Sequence, residues 1–418
     1  MSKPFLPYGQ QEITDADIQA VVEALKSPFL TTGPRVSEFE EGFANYLGVA
    51  NSVAVANGTA ALHLACLALG VKPGDVVLAP TMSFAASTNG AAYAGAEIEF
   101  IDCDPETGLI TPETFAEAAD RAIEKGSSPK VAIIVHINGE HADMAGISVE
   151  AGKRNIELIE DCCHALGTTF VDHLGEVQMV GNCRYSVLST YSTHPVKTIT
   201  TGEGGLITTK DVWLAKKLKD LRNHGMERDP ENFQFSELAF DKKGEPNPWY
   251  YEIQSLGYNY RLTDVACALG SSQISRMHQI AEKRRTLKKL YDGFFNGSNM
   301  PLKTIPTAKG VDPVRHLYPI LIDYDMLRIE KSTFCNALKA MGIGTQVHYI
   351  PTHLQPYYRK RYKGLSMEGA EAYYRQVLSL PFFPKMVADD VERVVDAVRT
   401  ALDGMRFLNG KGSLDSKP

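Results

Sequence analysis

The chain has 418 residues, with 43 Lys and Arg against 50 Asp and Glu and a formal net charge of −7. That balance argues against a general nucleic-acid surface, which needs clustered positive charge, and it leaves any anionic ligand to local groups rather than to the overall field. At roughly 150 residues per domain the length predicts two or three domains around a substantial core; no apolar run reaches the ~18 residues of a membrane span, the start lacks an apolar signal core, and the seven cysteines, 66, 103, 162, 163, 183, 267 and 335, have no Cys-x-x-Cys spacing, which predicts free thiols in a reducing cytoplasm.

Residues 15–26 read as an amphipathic helix with an acidic first turn. Gly33-Pro34 breaks the chain, and VSEFEEGFANYLG resumes as a helix ending at Gly48. An alternation follows. Strand-like runs at 52–56, 76–80, IEFIDCD, 131–137 and 156–161 are separated by helical stretches, among them TAALHLACLALG and 84–94. Short apolar runs alternating with helices predict a mostly parallel sheet covered on both faces. YSVLSTYS (185–192) and LITT (206–209) add strands. Beyond about 265 the pattern changes to a long charged helix, ISRMHQIAEKRRTLKKLYDGFF, then strand-like 316–323, helical KSTFCNALKAMG, strand-like TQVHYI (345–350) and a last helix near 388–404. The expected organisation is a large α/β domain with an N-terminal arm over 1–268, a smaller α+β domain over 269–410, and a frayed tail at 411–418.

Open α/β sheets bind ligands at the carboxyl ends of their strands, and three segments end strands with useful groups. Asn57-Gly58-Thr59-Ala60 stops a strand and starts a helix, whose free N–H groups and dipole suit a phosphate. Taken alone it reads first as an ordinary strand-to-helix turn, where Gly and Thr are common. Asp161 ends an apolar strand with His164 three residues on; alone, that aspartate reads as a helix cap. Lys197 stands without a cationic neighbour between two strand-like runs, just before Gly202-Glu203-Gly204-Gly205. A lone lysine is ordinarily a surface cation, but a desolvated one has a lowered pKa and attacks carbonyls as an amine. A phosphate cradle, a carboxylate to keep a pyridine nitrogen protonated and a buried lysine are what pyridoxal phosphate requires. Phe84 could stack on its ring or simply fill the core.

The blocks STHPVKTITTGEGG, GTAALHLA, IEDCCHALG and LGYNYRLTDVACALG resemble those of the DegT-type nucleotide-sugar aminotransferases, a branch of the fold-type-I pyridoxal-phosphate enzymes. The resemblance runs from PFLPYGQQEITDADI to SLPFFP. SPFLTTGPRVSEFE, LRNHGMERD and GTQVHYIPTHLQPYYR most resemble the members that aminate a sugar at C4 in pseudaminic acid biosynthesis. It implies the fold-type-I aminotransferase fold with pyridoxal 5′-phosphate as cofactor. It also implies L-glutamate as amino donor and a UDP-linked 4-keto-6-deoxy-L-altrose N-acetylamino sugar as acceptor; another keto sugar nucleotide, aminated at C3 or C4, is the alternative. A catalytically idle regulator of the same fold is a further alternative, against which Lys197 speaks.

Carried over by motif, Lys197 would hold the cofactor and move the proton, Asp161 would pair with the pyridine nitrogen, and His164 would neighbour the ring. The backbone groups of Thr59 and Ala60, with Ser192, would hold the phosphate. Tyr8, Pro28, Phe29, Leu30, Thr31, Gly58, Ser192, Gln346, Val347, His348 and Tyr349 match substrate-contact segments. Asn259 would reach the cofactor phosphate of the neighbouring subunit, which implies a homodimer with shared active sites. The chain departs from the family pattern at Val187, where aspartate is usual, at Thr193, where an aromatic is usual, at Cys162-Cys163, which replace alanines, and in HINGEHADM.

Overall fold

The structure is a computed structural model that describes residues 4–411, with side chains up to residue 404. A seven-stranded sheet organises it, in the order Asn51–Val55, Gly205–Thr209, Leu188–Ser192, Glu157–Asp161, Val131–Val135, Val76–Pro80 and Glu97–Ile101. Only Gly205–Thr209 runs antiparallel to its neighbours, so the other six strands share one direction. Five of them deliver their carboxyl ends toward a common rim, at Asn57, Ser83, Val135, Asp161 and Ser192.

The strands are apolar throughout because helices cover both faces. Val131, Ile133 and Val135 pack into the core on one face, while Ala132 and Ile134 join the core on the other, as a side-chain period of two requires. The helix Gly58–Ala68 is buried along most of its length, which explains why Thr59 and His63 are its only polar side chains. A separate core gathers Leu287, Tyr291, Tyr318, Phe334, Leu378 and Val394, with Leu6 from the N-terminal arm. Its sheet pairs Tyr318–Leu321 with Lys303–Thr304 and Val377–Leu380.

The structure departs from the sequence reading in four places. The long helix expected from 274 is the helix Met277–Phe295, separated from Asp264–Ser275 by a break at Arg276 (φ −110°). The run 345–350 is not a strand: Gln346 makes one rung with Ser379, then the chain leaves the sheet edge. Its alternation has another origin, since His348 is buried against Ser379 while Tyr349 turns toward His164. The strand Val131–Val135 stops before a 3-10 turn at Ile137–Gly139. The last helix, Ala388–Lys411, continues past 404 because a glycine such as Gly404 weakens a helix by only ~1 kcal/mol; the rest of the expected tail, 412–418, lies outside the described residues.

Candidate active site

The common rim opens into a cavity of about 690 Å³. Lys197, Asp161, His164, Ser192, Gly58, Thr59, Phe84, Tyr8 and residues 346–349 all line it. Ala60, Pro28, Phe29, Leu30, Thr31 and Asn259 do not. Ala60 is buried behind the helix start. Residues 28–31 lie on the surface beside Thr263 and Asp264, tied by the Asp264 N–H to the Leu30 carbonyl at 3.0 Å. Asn259 is exposed and bridges to Asn223.

Asn57 caps the helix Gly58–Ala68. Its Oδ1 accepts the Ala60 N–H at 2.8 Å, so the Ala60 amide is already used, while the amides of Gly58 and Thr59 have no partner among the described residues. A dipole-positive helix start with free N–H groups is an anion cradle. Glycine at 58 is required by packing: a Cβ there would meet the Ser192 Cβ at 2.9 Å. The turn that follows Lys197 is tied down by Thr193, whose N–H donates to the Gly204 carbonyl at 2.9 Å and whose hydroxyl contacts that of Thr201 at 2.6 Å. A small residue at 193 fits, because a Cβ on Gly204 would already meet its Oγ1 at 2.4 Å.

Asp161 is buried, and its carboxylate accepts the Ser87 hydroxyl at 2.7 Å and the Cys163 N–H at 3.2 Å. These bonds aim a fixed negative charge into the cavity. Lys197 makes no ion pair with any described residue. Burial pushes its pKa down, against the opposing pull of Cys163 and Asp161. The Cys163 thiol lies in the same cavity, where burial raises its pKa well above the ordinary range.

A cluster of neutral imidazoles completes the wall. Burial, then the nearby Lys197, holds His164 and His316 well below the usual histidine range and His348 down to about 3. His164 Nδ1 accepts the Asn138 N–H at 3.2 Å, which assigns the ring proton to Nε2, facing the Tyr349 hydroxyl at 3.1 Å. Tyr349 therefore accepts from His164 and keeps its own O–H to donate. Phe84 is 60% exposed and lies 5.9 Å from the Tyr349 ring, so it is part of the cavity's mouth rather than of the core.

Sequence reading did not single out Ser87, Asn138 or His316. Ser87 follows a strand end at serine-rich TMSFAAST, a weak signal; Asn138 and His316 are brought to His164 only by tertiary packing. Nor did it single out His136, His141 and Glu160, three buried groups on the sheet beside the site. They are ill suited to a metal. His136 Nδ1 accepts the Ala142 N–H at 3.1 Å, so its proton is on Nε2 for Glu160 at 2.9 Å, and that tautomer has no lone pair left for an ion.

The sequence profile of the DegT/DnrJ/EryC1/StrS aminotransferase family matches residues 11–399. The chain is 35% identical, over 96% of its length and 98% of the relative's, to the UDP-4-amino-4,6-dideoxy-N-acetyl-beta-L-altrosamine transaminase of Campylobacter jejuni. Its fold is similar to that of Helicobacter pylori PseC, an aminotransferase involved in the biosynthesis of pseudoaminic acid, with a TM-score of 0.84 and 26% identity over 96% of this chain and 100% of that one. It is also similar to the PLP form of the putative sugar aminotransferase Spr1654 from Streptococcus pneumoniae, with a TM-score of 0.82 and 26% identity over 96% of this chain and 99% of that one. With a match spanning nearly its whole length, the chain belongs to the DegT/DnrJ/EryC1/StrS aminotransferase family.

Proposed function

We propose that this sugar aminotransferase moves the amino group of L-glutamate to C4 of a UDP-linked 4-keto-6-deoxy-L-altrose N-acetylamino sugar, a step in pseudaminic acid biosynthesis. The aminotransferase chemistry rests on the convergence of Lys197, Asp161 and the free amides of Gly58 and Thr59 on one cavity, and the choice of sugar on the similarity to the altrosamine transaminase and to PseC. The cofactor is pyridoxal 5′-phosphate, which when bound supplies an electron sink for the carbon that loses its proton.

The residues divide the work as follows. Gly58 and Thr59 N–H groups, with the Ser192 hydroxyl, bind the cofactor phosphate. Asp161, fixed by Ser87 and Cys163, sets a negative charge against the ring nitrogen. Lys197 holds the cofactor. Its lowered pKa makes a neutral amine available, so once displaced by the donor it can take the α-proton and return it one carbon away. The second half-reaction runs these steps backward on the keto sugar. Tyr349, with an O–H to donate, is placed to bind the sugar's oxygen.

The cavity also supports a shared site. Among the described residues its lining holds one lysine and no arginine, against Asp161 and Glu203, and three of its histidines are held neutral. A cofactor phosphate and a nucleotide diphosphate need more positive charge than that. A second copy in an isologous dimer, contributing Asn259 and its surroundings, would supply the missing donors.

The test is turnover with glutamate on 4-keto and 3-keto sugars linked to UDP and to dTDP. Amination of the UDP 4-keto sugar alone is expected. Faster reaction of a 3-keto or dTDP-linked sugar would move the assignment to another branch of the family.

A further inference from the structure

A second, much smaller chamber, of about 10 Å³, lies behind Lys197 and shares that residue with the active-site cavity. Its walls include Arg284, Thr198, Gln273 and the Gln10–Glu12 segment of the N-terminal arm. The volume suits one small occupant, on the scale of a water molecule.

Arg284 is 2% exposed and forms no ion pair with any described residue. Its Nη1 donates to the carbonyls of Arg315 at 3.1 Å and His316 at 3.3 Å, and its guanidinium stacks on Phe382 at 5.8 Å. Its Nε is buried without a partner among the described residues. The acid nearest to it, Glu12, is already engaged by Lys283 at 2.8 Å and Arg276 at 3.3 Å. Gln273 is likewise occupied, donating to the Glu12 carbonyl and to Asp17. The Thr200 hydroxyl is spent on the Thr193 carbonyl, but the hydroxyl of buried Thr198 has no partner among the described residues.

A buried cation without a counter-charge is strongly disfavoured, and a buried donor without an acceptor adds to the penalty. Burial alone pushes the Arg284 guanidinium down to about 10, with only Glu12 opposing. A neutral water would satisfy the donors and leave the charge uncompensated. An anion would do both.

We propose that the chamber behind Lys197 binds one small monovalent anion, chloride under cellular conditions, held by the Arg284 guanidinium and the Thr198 hydroxyl. The site is distinct from the phosphate cradle, since none of Gly58, Thr59 and Ser192 lines it.

The test uses the cofactor-loaded enzyme. Its melting temperature is measured in sodium chloride and in sodium gluconate at equal ionic strength, and crystals are soaked in bromide. The expected result is a melting temperature that rises with the logarithm of chloride concentration, no such rise in gluconate, and anomalous bromide density beside Arg284. Arg284→Met should abolish the chloride dependence. If that variant does not fold, Thr198→Val, which keeps the guanidinium, should weaken chloride binding about tenfold, the loss of one hydrogen bond to a charged group. Absence of bromide density at Arg284 overturns the proposal in favour of a water. So does a chloride effect that persists at full strength in Thr198→Val.

Discussion

Gly58→Ala is the sharpest test of the phosphate cradle. The added Cβ would sit 2.9 Å from Ser192 Cβ, 3.3 Å from its Oγ and 3.4 Å from its Cα. Carbon atoms prefer roughly 3.5–4.0 Å, so a gap of more than half an ångström must open. Neither side yields easily: Ser192 is paired with Gly205 in the sheet, and Gly58 begins a helix capped by Asn57. Overpacking of this kind costs about 1–3 kcal/mol. The relief available is to lift the helix start away from the strand end, which moves the Gly58 and Thr59 amides that are to hold the phosphate. At about 1.4 kcal/mol per tenfold, cofactor affinity should fall by roughly ten- to a hundredfold. The assay is titration of the apoenzyme with pyridoxal phosphate, followed by the absorbance of the bound cofactor, with urea unfolding of the apoenzyme in parallel. Gly293→Ala is the control, since its Cβ would meet nothing within 4 Å; in the last turn of the helix Met277–Phe295 it should stabilise by less than the ~1 kcal/mol of a helix interior and leave the affinity alone. Wild-type cofactor affinity in Gly58→Ala, whatever its stability, would refute the cradle.

Lys197→Ala should abolish turnover and, after borohydride reduction and gel filtration, retain no cofactor absorbance; a retained band would place the attachment on another lysine. Asp161→Asn should keep the cofactor bound but lower turnover roughly a thousandfold, since a unit charge at ~4 Å in this setting is worth ~4 kcal/mol; near-normal turnover would remove the aspartate from its role. Because His164, His316 and His348 are held neutral when folded, their contribution to stability is complete above the unfolded pKa near 6.5 and is lost as pH falls below it, by about 1.4 kcal/mol per pH unit per histidine. Urea midpoints of the apoenzyme should therefore drop steeply between pH 7 and 5, and a flat profile would contradict the burial of these rings. Mixing Lys197→Ala chains with Asn259→Asp chains should restore activity through heterodimers in which one site has both residues wild type; no rescue in proven heterodimers would reject the shared site.

Local chemistry made much of this molecule legible in its sequence. Alternating short apolar runs and amphipathic helices implied a covered parallel sheet because backbone pairing and burial act at fixed periods. Asn57-Gly58-Thr59, Asp161 and Ser192 were readable because strand ends in such sheets face one rim, and Lys197 because its glycine-rich turn sets it apart. Tertiary structure alone decided the rest. Alternation in 345–350 looked like a strand, yet a packing demand on His348 and a site position for Tyr349 produce the same pattern without a ladder. Ser87 meets Asp161 across 74 positions of chain and His316 comes beside His164 at a ring distance of 4.6 Å, contacts no local periodicity encodes. The unpaired charge of Arg284 is of the same kind: on a helix it reads as one more surface cation among KRRTLKK, and only packing against Phe382 and the carbonyls of Arg315 and His316 takes it out of water.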